Sequence, residues 1–311
     1  MSFPRLPFLF RPYLARELPG WGRLSALLGI EGVDNASDRW REAPTRTVRG
    51  SRHGYLMSLD LRDDNMRMIY FVGRHYDLNM QLAIDRVVSP GDTFVDIGAN
   101  IGMTTLHAAR RVGPTGRVIA FEPQPACCDY IRKAIEANGI THIELHNAGL
   151  AAAPGELTLN VIGGGTIMAT FTPAAEGVRV RETIKCKVLV GDEVLAGRVV
   201  GNLVIKIDVE GFELQCLRGL TATIDTHRPA VFTEVEPDHL RRAGSSAEEL
   251  FEFFHSRGYR ALDVRIARRG LRWGAALTPV RSQSEMKSTD ALWIPAEKAF
   301  DPVHFPPARP A

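Results

Sequence analysis

The stretch "FVDIGANIGMTTL", residues 94–106, decides the fold. Apolar residues lead into an acid, two glycines then flank an asparagine, and a helical pattern begins after them. This order predicts a buried strand, a tight turn and a helix whose first backbone N–H groups face a ligand.

The same alternation continues along the chain. Further strands are predicted in "GRVIAFEPQP" (116–125), "HIELHNAGL" (142–150), "NLVIKIDVEG" (202–211) and "PAVFTEVEP" (229–237), with helical patterns after several of them. Strands that alternate with helices predict an α/β fold with a doubly wound, mostly parallel sheet. Ligands of such sheets bind at the carboxyl ends of the strands, where the strand order switches. The polar residues at these ends are Asp96, Glu122, Asn147, Asp208 and Glu234.

The turn has the spacing G-x-N-x-G, formed by Gly98, Asn100 and Gly102. It lacks the G-x-G-x-x-G pattern of dinucleotide sites and the phosphate-binding pattern that ends in Gly-Lys. Asp96 would repel a pyrophosphate and attract a cationic ligand. S-adenosylmethionine carries a sulfonium and an ammonium but no phosphate, and Asp96 is expected to accept from the ammonium directly or through water.

Two further strand ends are candidates for nucleoside contacts. Glu122, 24 residues after Gly98, is placed to accept both ribose hydroxyls, which suits the methyl donor and NAD equally. Asn147 is a candidate for the adenine edge, with a structural amide as the alternative.

The motifs "GDTFVDIGANIG", "GRVIAFEPQP" and "LVIKIDVEGFE" together resemble the FkbM-type family of S-adenosylmethionine-dependent methyltransferases, over roughly residues 65–295. The resemblance implies a class I methyltransferase (Rossmann-like) fold and O-methylation of a sugar, glycan or macrocycle. The local turn "VGDEV" departs from the family pattern before the fourth strand. The positions that match the family's methyl-donor turn, ribose acid and D-x-E-G-x-E signature are Asp96, Gly98, Asn100, Gly102, Glu122, Asp208, Glu210, Gly211 and Glu213. Thr104, at the start of the helix after the turn, joins the candidate residues for binding the methyl donor.

The fourth and fifth strands supply the candidate catalytic residues. Asp208 is placed to act as general base or to bind the acceptor hydroxyl, and Lys206 points to the same face of its strand. Glu234 is the second catalytic candidate, and His239 is a rival base. Glu234 and Glu236 could form a magnesium site with Asp208, but strand-end acids often cap helices, so no metal ligand is assigned.

Three segments are predicted: an N-terminal extension over 1–50, a methyltransferase domain over 51–296 and an irregular tail over 297–311. Residues 51–76 are expected to form an antiparallel hairpin, and residues 151–201 a strand-rich excursion. His107, on the first helix after the turn, is expected to be exposed.

Composition narrows the partners. With 45% hydrophobic and 24% charged residues and a net charge of +2, the chain is typical of globular proteins and not of nucleic-acid binders. Its four cysteines suit a reducing compartment, and the absence of an apolar run long enough to span a membrane favours a cytoplasmic protein. Residues 1–30 carry four arginines, with Trp21, Leu24, Leu27 and Leu28. This segment is therefore predicted to be a helix that lies on a membrane surface, one that packs on the domain, or a contact for a partner.

The sequence thus predicts an S-adenosylmethionine-dependent O-methyltransferase that acts on a small-molecule or glycan hydroxyl. The alternatives are an NAD(P)-dependent oxidoreductase and a non-catalytic, methyltransferase-like binding module.

Overall fold

The computed structural model describes residues 3–30, 39–74, 78–162, 169–172, 177, 180–269, 272–299 and 303–304. Its helices are α1 (Leu6–Ala15), α2 (Trp21–Leu27), α3 (Asp64–Val72), α4 (Leu78–Val87), α5 (Met103–Val112), α6 (Pro125–Asn138), α7 (Gly191–Leu195), α8 (Glu213–Arg218), α9 (Thr221–His227), α10 (Pro237–Arg242) and α11 (Ala247–His255). A 3₁₀ turn covers Gln283–Glu285.

The strands form a central sheet and two smaller ones. They are β1 (Thr45–Arg49), β2 (Leu56–Asp60), β3 (Thr93–Ile97), β4 (Arg117–Phe121), β5 (Ile143–His146), β6 (Gly149–Leu150), β7 (Gly155–Ile162), β8 (Ala169–Thr170), β9 (Val180–Leu189), β10 (Leu203–Ile207), β11 (Ala230–Glu234), β12 (Tyr259–Arg269), β13 (Arg272–Val280), β14 (Asp290–Pro295) and β15 (Val303–His304).

The central sheet has the strand order β15-β13-β12-β14-β11-β10-β3-β4-β5. The strands from β11 to β5 are parallel, and the other four pair antiparallel at one edge. The chain runs outward from β3 through β4 to β5, then returns to β10 and continues to β11. The switch in strand order therefore lies between β3 and β10, and the sheet confirms the predicted α/β fold.

Both faces of this sheet are covered. In β3, Phe94 packs with α4 and α5, whereas Val95 packs with α8, α9 and α11 on the opposite side. Alternate residues of a strand point to opposite faces, so a strand buried on both sides reads as a continuous apolar run. This explains why the central strands were visible in the sequence.

The predicted hairpin over 51–76 is wrong. Residues 56–60 form β2, but its antiparallel partner is β1, upstream of it, and residues 64–72 form α3. The Asp63 side chain accepts from the Met66 N–H and so caps α3, and Gly73 ends the helix with a φ of +78°. Because β1 lies within 1–50 and pairs with β2, the predicted division at residue 50 falls inside a ribbon.

The other predicted segments have mixed outcomes. The excursion over 151–201 contains β7, β8 and β9, which join β6 in a four-stranded sheet. His107 is buried, contrary to prediction, because its Nε2 lies 3.1 Å from Asp85 Oδ1 in the contact between α4 and α5. Most of the predicted tail, 297–311, lies outside the described residues. Among the described residues, no helix has both the length and the apolar character needed to cross a bilayer.

Candidate functional site

A cavity of about 310 Å³ lies at the carboxyl ends of β3, β4 and β10, at the switch in strand order. Of the nine residues predicted to be catalytic or to bind the methyl donor, five line it: Gly98, Asn100, Thr104, Glu122 and Asp208. Lys206 and Glu210, which were also named from the sequence, line it as well. Four other predicted residues are not among the described residues that line it: Asp96, Gly102, Asn147 and Glu234. The structure thus brings five of these nine residues together around one cavity and places the other four outside its described lining.

The turn after β3 brings bare backbone up to the next strand end. Gly98 has a φ of +78°, and a Cβ at this position would lie 2.0 Å from the Asp208 carbonyl oxygen. Asn100 also takes a left-handed conformation, with a φ of +52°, and its side-chain oxygen accepts from the Ile101 N–H. The turn therefore depends on glycine at 98 and on an asparagine that tolerates this conformation at 100.

Glu122 ties this turn to the loop after β4. Its Oε2 accepts from the Asn100 N–H at 2.7 Å, and its Oε1 accepts from the Gln124 N–H at 2.8 Å. Burial raises the pKa of Glu122 to about 7, although the two backbone hydrogen bonds favour its ionised form. Each oxygen retains further acceptor capacity, so the carboxylate can still bind hydroxyls of a ligand.

Asp96 lies behind the cavity and not on its wall. The residue has no exposed surface, and its Oδ2 accepts from the Thr105 hydroxyl at 2.6 Å. Burial raises its pKa, and the ammonium of Lys206, 3.4 Å from Oδ1, acts in the opposite direction. Of the two contacts predicted for Asp96, directly to a ligand ammonium or through water, this buried position favours the one through water.

Lys206 is the cation at the centre of the site. Its Nζ donates to the Gly98 carbonyl at 2.9 Å and lies 3.2 Å from Asp208 Oδ2. The predicted alignment of Lys206 and Asp208 on one face of β10 is thus present. The Lys206 ammonium thus lies between the carboxylates of Asp96 and Asp208 and also donates to the turn at Gly98.

Of three other residues predicted to bind the methyl donor, one lines the cavity and two make contacts within the protein. Thr104 lines the cavity from the first turn of α5. Gly102 precedes this helix, and a Cβ there would lie 2.9 Å from Ile131 Cγ1, so the glycine allows α5 and α6 to pack. The Asn147 amide donates to the carbonyls of Glu122 and Pro123, as expected for the structural alternative to the adenine contact.

A cluster of acids surrounds His239 at the ends of β10 and β11. His239 Nδ1 lies 3.0 Å from Glu210 Oε2 and 3.5 Å from Glu234 Oε2, yet this nitrogen makes no hydrogen bond with favourable geometry among the described residues. Burial and then the charge of Asp208 raise the pKa of Glu210 to about 7 and that of Glu234 to about 9. Burial lowers the pKa of His239. At neutral pH, Glu234 is therefore protonated and His239 is neutral.

This cluster is also the set of described residues that could hold a metal ion. Ligand atoms of Glu210, Glu234 and His239 lie within 4.8 Å of one another. The sequence analysis considered a magnesium site formed by Asp208, Glu234 and Glu236. The observed cluster lacks Glu236, whose side chain accepts from the Asp238 N–H at the start of α10. Glu213 has a structural role, since its Oε1 accepts from the N–H groups of Val209 and Gly211 in the loop before α8.

Sequence reasoning missed several residues of the wall. The Gln124 side chain is 2% exposed and lines the cavity, and its Nε2 has no hydrogen-bond partner among the described residues. A buried N–H of this kind requires an acceptor, which a ligand can supply. Its place two residues after Glu122 was the available signal. The remaining wall includes Asn65 and Ile69 from α3, Leu159 and Ala169 from the four-stranded sheet, and Phe171, which directly follows β8.

Part of this chain is similar to known proteins. A family model described as the methyltransferase FkbM domain matches residues 96–261. The protein named Methyltransferase 1 from Beauveria bassiana is 29% identical over 167 residues, which cover 47% of this chain and 66% of that protein. The hexuronic acid methyltransferase AglP from Haloferax volcanii is 30% identical over 142 residues, covering 43% of this chain and 52% of that protein.

A solved structure of a methyltransferase FkbM from Methylobacillus flagellatus matches with a TM-score of 0.38 and 16% identity, over 74% of this chain and 54% of that one. The matches to the two curated relatives span between about half and two thirds of the length of those proteins.

Proposed function

The chain belongs to the FkbM methyltransferase family, and from this premise we propose that it transfers a methyl group from S-adenosylmethionine to a hydroxyl of a sugar, glycan or secondary metabolite. The observation that carries the proposal is the cavity in which the turn at Gly98, the carboxyl of Glu122 and the carboxyl of Asp208 meet.

The residues at the β3–β4 end fit the methyl donor. Glu122 retains acceptor capacity for the two ribose hydroxyls, and the orphaned Nε2 of Gln124 can donate to a nearby acceptor of the nucleoside. Three acids, Glu122, Asp208 and Glu210, line the same cavity as the single cation Lys206 among the described residues, which favours a cationic ligand over a pyrophosphate.

The residues at the β10 end fit the acceptor. S-adenosylmethionine supplies an electrophilic methyl group when bound. Asp208 has a side chain that is 46% exposed, beside the ammonium of Lys206, and it is placed to take the proton that the acceptor hydroxyl must lose. Glu234, the second predicted catalytic residue, is protonated at neutral pH and is therefore a poor base there. We assign it to shaping the charge of this end of the cavity.

The acceptor class is supported by one relative. AglP is named for methylation of hexuronic acid, which makes carbohydrate hydroxyls the first acceptors to test. The sheet formed by β6 to β9 supplies part of the cavity wall, and we propose that it selects among acceptors.

The decisive experiment measures binding of the methyl donor and methyl transfer separately. Calorimetry with S-adenosylmethionine is expected to show binding to the folded wild-type protein. Transfer of an isotopically labelled methyl group is then measured with uronic acids, neutral glycosides and non-carbohydrate alcohols. Absence of binding at millimolar methyl donor would refute the proposal. Binding without transfer to any hydroxyl would instead favour the non-catalytic binding module.

A further inference from the structure

Helix α1 exposes an apolar stripe to solvent. Leu6, Leu9 and Phe10 stand at positions i, i+3 and i+4 of the helix, and their exposed fractions are 57%, 76% and 38%. Residues at this spacing share one side of a helix. We call these three side chains the α1 face.

The opposite side of α1 is anchored to the domain. Phe8 packs against Phe71 and Tyr70, with ring centroids 5.2 and 5.8 Å apart, and Leu14 is fully buried. Arg11 stacks on the Tyr70 ring and donates through Nε to the Tyr70 carbonyl at 3.2 Å. Because these contacts fix the helix, the α1 face cannot turn inward without breaking them.

Exposed apolar residues are concentrated in this part of the chain. Eight large hydrophobic side chains are exposed among the described residues. Five of them lie within residues 6–27: the three of the α1 face, together with Leu18 and Leu27. The other three, Val180, Val200 and Ile266, are scattered elsewhere in the sequence. Single exposed apolar residues are normal, whereas a concentration of them indicates a contact surface.

The charges around this surface are cationic. Arg5, Arg16 and Arg23 are exposed, and none of them is ion-paired with an acid among the residues that the structure describes. Glu17, the one acid within residues 3–30, lies 2.7 Å from Arg74 Nε and is engaged there. In helical projection, Arg5 and Arg16 both flank the same side of the α1 face.

We propose that the α1 face binds the surface of an anionic lipid membrane, with Leu6, Leu9 and Phe10 in the acyl boundary and Arg5 and Arg16 at the lipid phosphates. An exposed apolar stripe flanked by arginines is the chemistry that such a surface recognises. The residues differ from those considered in the sequence, because Leu28 is buried and Trp21 packs against the core.

This surface lies close to the cavity. Helix α3 packs against α1 through Tyr70 and Phe71 and lines the cavity with Asn65 and Ile69. A single helix, about 10 Å across, therefore separates the membrane-binding surface from the site. The proposal does not depend on the methyltransferase activity, since it concerns a surface outside the cavity.

The test is co-sedimentation of the full chain with vesicles of phosphatidylcholine, with and without phosphatidylserine. We expect binding to the mixed vesicles that weakens as salt is raised. The double variant Leu6→Ser, Leu9→Ser should bind at least about tenfold more weakly, since both side chains lose apolar burial. Arg5→Ser, Arg16→Ser should lose about fivefold for each arginine removed and most of the salt dependence.

The matched control is Val200→Ser, Ile266→Ser, which removes two exposed aliphatic side chains elsewhere and should bind as the wild type does. Thermal melting and binding of the methyl donor report whether each variant is folded. If the leucine variant does not fold, the proposal is still tested by the weaker binding of the arginine variant and by the salt dependence of wild-type binding. Wild-type protein that ignores mixed vesicles, or equal losses in the control, would overturn the proposal. A dimer in solution that the leucine variant dissociates, without lipid binding, would overturn it in favour of a protein interface.

Discussion

The two ends of the cavity satisfy their charges in different ways. At the β3–β4 end, each oxygen of Glu122 accepts a backbone N–H, at 2.7 and 2.8 Å. At the β10–β11 end, Glu210 and Glu234 approach His239 Nδ1 without an aligned hydrogen bond. After burial, the charge of Asp208 raises the pKa of Glu210, and the charges of Asp208 and Glu210 raise the pKa of Glu234.

This difference indicates a division of labour. A carboxylate held by backbone N–H groups is fixed in place and suits recognition of an invariant ligand. Acids that lack such bonds retain a strong tendency to take up a proton or a cation, which suits chemistry on an acceptor. The comparison predicts that changes at the β10 end reduce turnover, whereas changes at the β3–β4 end reduce stability and binding of the methyl donor.

The largest effect is expected from Asp208→Asn. The amide keeps the shape of the side chain but cannot accept the hydroxyl proton, so kcat should fall by about 10²–10³-fold. Binding of S-adenosylmethionine should change little, because Glu122 and the turn at Gly98 are untouched. Steady-state kinetics and calorimetry on the same preparation separate the two quantities.

Glu210→Gln is the matched comparison for this prediction, since Glu210 also lines the cavity. If Glu210→Gln lowers kcat more than Asp208→Asn, the general base is Glu210. Unchanged kcat in Asp208→Asn would remove Asp208 from the base role.

The next largest effect is expected from Gly98→Ala. The new Cβ would lie 2.0 Å from the Asp208 carbonyl oxygen and would force a left-handed conformation on alanine. We expect a loss of about 3 kcal/mol in the free energy of unfolding, together with loss of measurable binding of the methyl donor. Chemical denaturation and calorimetry measure the two effects.

Gly139→Ala is the control, because Gly139 also has a positive φ, at the end of α6, but nothing lies within 4 Å of its Cβ position. It should cost about 1 kcal/mol and leave binding of the methyl donor intact. Equal losses in both variants would show that backbone conformation, and not the close approach to β10, makes glycine necessary at 98.

Much of the fold could be predicted because local pattern and burial agree in the central strands. Doubly covered strands such as 203–207 are apolar apart from Lys206, and polar residues such as Asp208 follow at their carboxyl ends. The wrong strand prediction over 64–72 has a local cause, because Met, Ile, Tyr, Phe and Val are also common in strands. The segment forms a helix, and the Asp63 side chain caps its first turn. The pairing of β2 with β1 could not be read, because register depends on tertiary contacts.

The site was predictable to the extent that it follows strand ends. Asn100, Glu122 and Asp208 meet in the cavity for this reason. The partners of Asp96 depend on neighbouring elements, since Thr105 comes from α5 and Lys206 from β10. Likewise, the wall residues Leu159 and Ala169 belong to the four-stranded sheet, which was predicted as strand-rich but without its contact to the cavity.

A smaller effect is expected from Glu122→Gln. The amide keeps one acceptor oxygen but sets its NH₂ group against the N–H of Asn100 or Gln124, which leaves one of these without an acceptor. The dissociation constant for S-adenosylmethionine should rise about tenfold to hundredfold.

The pH dependence of binding sharpens this prediction. The wild-type affinity should increase as pH rises through about 7, where Glu122 ionises and can accept ligand hydroxyls fully. The variant should lack this step. Glu136→Gln, on the exposed side of α6, should behave as the wild type. An identical pH profile in Glu122→Gln would exclude Glu122 as the source of the step.

The smallest effect is expected from Glu234→Gln, and it concerns stability. Burial, followed by the charges of Asp208 and Glu210, raises the pKa of Glu234 from 4.5 to about 9, so the folded state favours the protonated acid. The stabilisation is complete below the unfolded pKa of 4.5 and is lost as pH rises through about 9. Glutamine cannot ionise, so the free energy of unfolding of the variant should match that of the wild type near pH 5. Near pH 9 it should exceed the wild-type value by about 1–2 kcal/mol, which corresponds to roughly 2–5 °C in melting temperature.

Thermal melting across this pH range measures the difference, with Glu252→Gln on the exposed side of α11 as control. Parallel curves for Glu234→Gln and the wild type would mean that the acids at the β10–β11 end do not repel one another, and the contrast between the two ends of the cavity would then fail.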